Sequence, residues 1–65
     1  MASVSEINYQ LIPWFGFVQN CMKSAESEGA SNTYEQLKDK YLEIKAILQS
    51  NGVNMTGIDK LGLNS

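Results

Sequence analysis

The chain has 65 residues, a formal charge of −2 at pH 7 and five lysines as its only basic side chains. A chain of this length forms one small domain spanning residues 1–65, and its scattered lysines do not form the basic patch that binds a nucleic-acid backbone. Because it has one cysteine and no histidine, it lacks an internal disulfide and the common zinc ligand sets, so we expect no metal and no cofactor.

The sequence contains no pattern of residues that predicts catalysis. Asp39 and Glu43 would share one helical face, but lysines lie on the same face and favour an ordinary solvated surface. The hydroxyl side chains and the single thiol have no histidine to activate them. We therefore expect that the chain is not an enzyme, and that Cys21 packs as a small hydrophobic residue.

The first predicted helix is unusually apolar. The sixteen residues from Ile7 to Met22 carry no formal charge and include four of the six aromatic residues. Their spacing predicts a helix over about residues 4–26, begun by a capping box of Ser3 and Glu6. Pro13 lies inside this range, where it removes one backbone hydrogen bond and predicts a kink.

A turn and a second helix follow. Residues 27–33 are rich in Ser, Gly, Asn and Thr and predict the loop of a helical hairpin, with Asn32 or Thr33 capping a second helix over about residues 33–50. The apolar residues of this helix recur every three or four positions, which is typical of helix pairing. The predicted seam between the helices consists of Ile7, Leu11, Val18, Tyr34, Leu37, Tyr41, Ile44 and Leu48.

The second helix is expected to end at a clear stop signal. Asn51 is followed by Gly52, which adopts the left-handed conformation at little cost, and Val53 can then fold back on Leu48. In the tail, residues 51–65, we expect a single turn capped by Thr56 and Asp59 or an irregular segment.

The aromatic residues of the first helix carry the functional prediction. Trp14 is expected to face the second helix, whereas Phe15 and Phe17 cannot both point there, so that one or both are available to another chain. The tail could instead cover them in a compact monomer. The predicted partner-binding residues are Ile12, Trp14, Phe15, Phe17 and Met22.

These expectations combine into an all-α fold, a helical hairpin that pairs with a second copy into a dimeric four-helix arrangement. The predicted function is that of a small non-catalytic interaction protein, a regulatory, inhibitory or assembly factor of the kind found in bacteria and phages. Its partner would be a second copy or a larger protein. We expect it in the cytoplasm, because a chain with one cysteine and no internal disulfide fits a reducing setting. We expect no export, because the residues before Ile7 lack the positive charges of a secretory signal, and no membrane span, because polar residues interrupt the apolar segment.

A helix-turn-helix DNA-binding protein is the alternative. The spacing of Leu48, Gly52, Val53, Ile58 and Leu61 approximates that motif across residues 44–63. However, a reading helix over residues 56–63 would contain two glycines and few side-chain donors. Nucleic acid is therefore the less favoured partner.

Overall fold

A computed structural model describes residues 4–63 of the chain. It contains helix α1 (Val4–Glu28) and helix α2 (Ser31–Ser50), which pack against each other, followed by a tail of turns over residues 51–63. The all-α prediction is thus confirmed for the described residues, and so is the pairing of two helices. The predicted pairing of two hairpins into a dimer stays a prediction.

Helix α1 extends further than its sequence signals indicate. Pro13 lies inside the helix and does not end it, and the kink expected there stays a prediction. The C-terminal boundary is at Glu28, two residues later than predicted. Ser3 of the expected capping box lies outside the described residues.

The turn between the helices is much shorter than the predicted loop 27–33. Gly29 adopts a φ of 71° and, with the next residue, closes the end of α1. The Gly29 N–H donates to the Glu26 carbonyl at 3.1 Å, and the Ala30 N–H donates to the Ala25 carbonyl at 2.9 Å. This pair of bonds is a Schellman motif, which ends a helix and reverses the chain within two residues.

The predicted cap of α2 is wrong. The helix begins at Ser31, its N-cap position is Ala30, and no side chain caps it. The Ala30 carbonyl accepts a hydrogen bond from the Tyr34 N–H at 2.9 Å. The chain enters α2 directly after the turn at Gly29. Asn32 and Thr33 are therefore residues of the helix and do not cap it.

The predicted end of α2 is confirmed. Gly52 follows the helix with a φ of 81°, and its N–H donates to the Gln49 carbonyl at 3.0 Å. The Val53 N–H donates to the Leu48 carbonyl, also at 3.0 Å, which completes a second Schellman motif. Val53 packs against the core cluster that includes Leu48, in agreement with the predicted fold-back.

The core lies between the two helices. The Phe15 and Tyr41 rings stack at its centre, with centroids 5.1 Å apart and planes 19° apart. Among the predicted seam residues, Leu11, Tyr34 and Leu37 are partly buried against the core, and Ile7 is half-buried. The buried hydrophobic residues are Phe15, Val18, Met22, Ala25, Tyr41, Ile44 and Leu48.

The tail folds back over this core. Its ordered turn is closed by hydrogen bonds from the Ile58 and Asp59 N–H groups to the Met55 carbonyl, at 3.1 and 2.8 Å. Thr56 does not cap the turn as predicted, because the Asp59 N–H that its side chain would bind donates to the Met55 carbonyl instead. The tail residues that pack against the core are Val53, Met55, Ile58, Leu61 and Leu63.

Two further findings concern the predicted function. Residues 51–63 form turns and contain no helix, so the reading helix that the DNA-binding alternative requires is not formed. Neither α1 nor α2, the helices of the described part of the chain, is long and apolar enough to cross a membrane.

Candidate functional site: an exposed aromatic surface and a docked tail

The structure divides the five predicted partner-binding residues between the core and the surface. Phe15 and Met22 are fully buried, which corrects the prediction that they contact a partner. They are spaced with Val18 on the stripe of α1 that faces α2, and they fill the core there. Ile12 is partly buried against the same core.

Of the five predicted partner-binding residues, Trp14 and Phe17 are the two that are exposed at the surface. Trp14 is 49% exposed and Phe17 is 56% exposed, so the expectation that Trp14 faces α2 is wrong. Trp14 precedes Phe15 by one position, about 100° around the helix, and with Phe15 pointing inward it turns outward. The two exposed rings stack on each other, with centroids 5.4 Å apart and planes 13° apart.

A shallow groove adjoins this aromatic pair. Phe17 and Cys21 line it from α1, and Leu37 lines it from α2. The remaining lining residues are small or polar, and Glu28 is the one charged side chain among the described residues that line it. We call the aromatic pair and this groove the aromatic surface. The lining residues are Phe17, Asn20, Cys21, Ser24, Ala25, Glu28, Ala30, Thr33 and Leu37.

A second feature, absent from the sequence predictions, is the buried amide of Gln19. Gln19 is only 2% exposed, and among the described residues its hydrogen bonds outside α1 all reach the tail. Its Nε2 donates to the Ile58 carbonyl at 2.9 Å, and also to the Phe15 carbonyl at 3.4 Å within α1. Its Oε1 accepts from the Lys60 N–H at 2.7 Å and from the Leu61 N–H at 3.3 Å.

An ion pair holds the tail from the side of α2. The Lys45 Nζ lies 2.8 Å from Asp59 Oδ2, with the two side chains 11% and 7% exposed. The Tyr41 hydroxyl donates a short hydrogen bond to Asp59 Oδ1, which also accepts from the Gly62 N–H at 2.9 Å. We call Gln19, Tyr41, Lys45 and Asp59 the polar clasp.

The clasp also fixes the last described residue. The Leu63 N–H donates to the Tyr41 hydroxyl oxygen at 3.0 Å, and the Leu63 carbonyl accepts from Lys45 Nζ at 2.7 Å. The Lys45 ammonium lies 5.6 Å from the centre of the Tyr41 ring, close enough for a cation–π contact. Both ends of the segment 58–63 are therefore held by side chains of the helices.

The contacts of the polar clasp shift the pKa of its three ionisable members, Tyr41, Lys45 and Asp59. Burial raises the pKa of the Asp59 carboxyl, but hydrogen bonds from Lys45, Tyr41 and Gly62 outweigh it, and the pKa lies below its usual value. The hydrogen bond to Asp59 raises the pKa of Lys45 against the opposing effect of burial. Burial and the hydrogen bond to Asp59 raise the pKa of Tyr41. Asp59 is therefore ionised, Lys45 charged and Tyr41 neutral near pH 7.

Sequence reasoning missed the clasp for a definable reason. Gln19 lies between Phe15 and Met22 on the apolar stripe, and a polar residue at a core position was the available signal. Asp59 was predicted as a local cap, and its N-terminal neighbours gave no indication of a partner 14 positions earlier at Lys45.

The described residues offer no group of three or more His, Cys, Asp and Glu side chains that could hold a metal ion.

The described part of the chain presents two distinct features, an exposed aromatic surface and a tail docked by a polar clasp. No protein-family model, curated protein or solved structure matches this chain.

Proposed function

We propose that the chain is a small non-catalytic interaction protein, a regulatory, inhibitory or assembly factor that binds another protein through the aromatic surface. The observation that carries the proposal is the stacked pair of Trp14 and Phe17, each about half exposed on a folded helix. Large aromatic side chains dominate the binding energy of protein interfaces when they enter a complementary pocket.

The geometry of the pair supports binding. Because Trp14 and Phe17 stack on each other, each ring restricts the other's rotamers before a partner arrives. Binding then costs less side-chain entropy than it would for two isolated aromatic residues. The groove beside Phe17 supplies a concave counterpart, so that one surface offers both a projecting ridge and a hollow.

The chemistry of the groove favours an apolar partner surface. Its lining is uncharged except for Glu28, so a charged partner group placed away from Glu28 would lose water without gaining an opposite charge. A second copy of the hairpin provides such a surface. A twofold interface brings the same patch of both copies together, so the aromatic ridge of each copy faces the groove of the other. A dimeric four-helix arrangement is therefore part of this proposal, with a larger protein as the other partner class.

The proposed location of the protein is a reducing compartment such as the cytoplasm. Cys21 is a free, half-buried thiol on the aromatic surface. A free thiol at an interface is retained in its reduced form where glutathione and thioredoxin keep thiols reduced.

The test compares two variants of the full chain. The double substitution Trp14→Ala and Phe17→Ala removes the aromatic ridge, and Tyr9→Ala is the matched control, because Tyr9 is 81% exposed on the same helix and does not line the groove. Sedimentation and light scattering over a concentration series measure self-association, and circular dichroism checks helicity. We expect the native chain and Tyr9→Ala to form dimers and the double variant to remain a folded monomer.

Two outcomes count against the proposal in different ways. A double variant that dimerises as the native chain does would show that the aromatic surface is not the interface. A native chain that stays monomeric would exclude the second copy and leave a different protein as the partner, to be tested by comparing the same three chains for binding to it.

A further inference from the structure

The segment 58–63 is held by the helical hairpin in the manner of a bound peptide. Its backbone groups bond to side chains of the helices: Gln19 bonds to two N–H groups and one carbonyl, while Tyr41 and Lys45 bond to the N–H and the carbonyl of Leu63. When a protein binds a peptide, main-chain bonds of this kind supply affinity and pockets for side chains supply specificity.

The side chains of the segment show a readable pattern. Ile58, Leu61 and Leu63 pack against the core, whereas Lys60 is exposed. Asp59 pairs with Lys45 and Tyr41. The fifth position is Gly62, which adopts a φ of 63° that other residues rarely take. The pattern is therefore apolar, Asp, any residue, apolar, Gly, apolar.

We propose that the surface formed by Gln19, Tyr41 and Lys45 is a peptide-recognition site that the chain's own residues 58–63 occupy, and that it accepts a segment of the same pattern from another polypeptide. This site lies apart from the aromatic surface, since Gln19 and Phe17 are two positions apart and so about 200° apart around α1. The inference does not depend on the proposed function.

The covalent link makes the chain's own tail a strong competitor. A short linker gives the tethered segment an effective concentration of about millimolar at its site. A free segment therefore binds only when it exceeds this concentration or when the tethered tail is weakened. The tail thus controls access to the site.

The first experiment separates docking from covalent attachment. A protease recognition sequence is inserted after Asn54, which is exposed, and the full chain is folded before it is cleaved. We expect the released segment to stay bound and the helicity to persist. A synthetic peptide of residues 55–65 should displace it, and the same peptide with Asp59→Asn should need about tenfold or higher concentration, because a charge-assisted hydrogen bond is lost.

The second experiment uses the intact chain and guards against an insertion that fails to fold. The Asp59→Asn chain has a weakened tail, so a labelled peptide of residues 55–65 should bind it at least about tenfold more tightly than it binds the native chain. Adding Lys45→Met to this chain removes the group that recognises the aspartate of the peptide, and should abolish the gain. Fluorescence anisotropy measures both affinities.

Three results would overturn the inference. One is loss of helicity on cleavage, which would make the tail an essential part of the fold instead of a ligand. The others are displacement that does not depend on the aspartate of the peptide, and equal peptide affinity for the native and Asp59→Asn chains.

Discussion

The ion pair of the polar clasp makes the sharpest prediction about stability. Replacing Asp59 by Asn keeps the size of the side chain and an acceptor oxygen for Tyr41 and Gly62, but it removes the negative charge beside Lys45. The Lys45 side chain, which is only 11% exposed, then has no counter-charge beside it. Lys45→Met is the reciprocal change, and the double variant removes both charges.

The magnitude follows from burial. Breaking a buried ion pair by removing one partner costs about 3–5 kcal/mol, because the remaining charge stays desolvated. A chain of this size has a free energy of unfolding of about 3–10 kcal/mol in total. Since the tail can leave the helices and return Lys45 to water, the loss cannot exceed the free energy of tail docking. We therefore expect Asp59→Asn to lower the free energy of unfolding by an amount at the lower end of that range, about 3 kcal/mol.

The assay is a double-mutant cycle by urea unfolding, with amide hydrogen exchange of the tail as a second measurement. We expect the double variant to lose less stability than the sum of the single variants by at least about 1 kcal/mol, because it leaves no unpaired charge. Fast exchange in the tail with slow exchange in both helices should accompany each single substitution. Additive losses within about 0.5 kcal/mol would refute the reasoning, since they would mean that the two charges do not interact.

Gln19→Leu should cost about 1–3 kcal/mol, because it leaves buried backbone groups of the tail without partners, and tail amides should exchange faster. Phe15→Ala should cost about 3–5 kcal/mol in urea unfolding, since it empties the centre of the core. Gly52→Ala should cost about 1–2 kcal/mol because of its positive φ, whereas Gly57→Ala, at a glycine without a positive φ, should cost much less. Because the pKa of Asp59 is lower in the folded chain than its usual value of 3.8, the contribution of Asp59 to stability should be complete above pH 3.8 and be lost as the pH falls through the folded pKa. Thermal unfolding of Asp59→Asn should therefore depend less on pH in this acidic range than unfolding of the native chain.

The helices were predictable because their signals are local. The spacing of apolar residues at three and four positions identified both, and Asn51 with Gly52 located the end of α2 correctly. The turn between them was misjudged because several polar residues suggested a long loop. The single glycine at position 29 was sufficient, since its left-handed conformation satisfies the last carbonyls of α1 and reverses the chain.

The orientation of α1 was not predictable to the same extent. Two apolar stripes lie side by side on this helix, one including Trp14 and the other including Phe15, and periodicity alone assigns the core to neither. The choice depends on α2, whose Tyr41 ring stacks on Phe15. The tail depends on still more distant contacts, since Gln19 bonds to residues 39 to 42 positions away.

The two features together explain how a 65-residue chain can leave aromatic residues exposed. A hairpin of two helices has two open sides, and the tail covers the one next to Gln19 and Lys45. The apolar residues of the tail pack against the core there, and the polar clasp holds them in place. The other side keeps Trp14 and Phe17 at the surface of the folded chain. Burial of these rings by a partner would therefore contribute free energy to binding and not to folding. Substitutions in the clasp should therefore change stability, and substitutions in the aromatic pair should change association with little effect on stability.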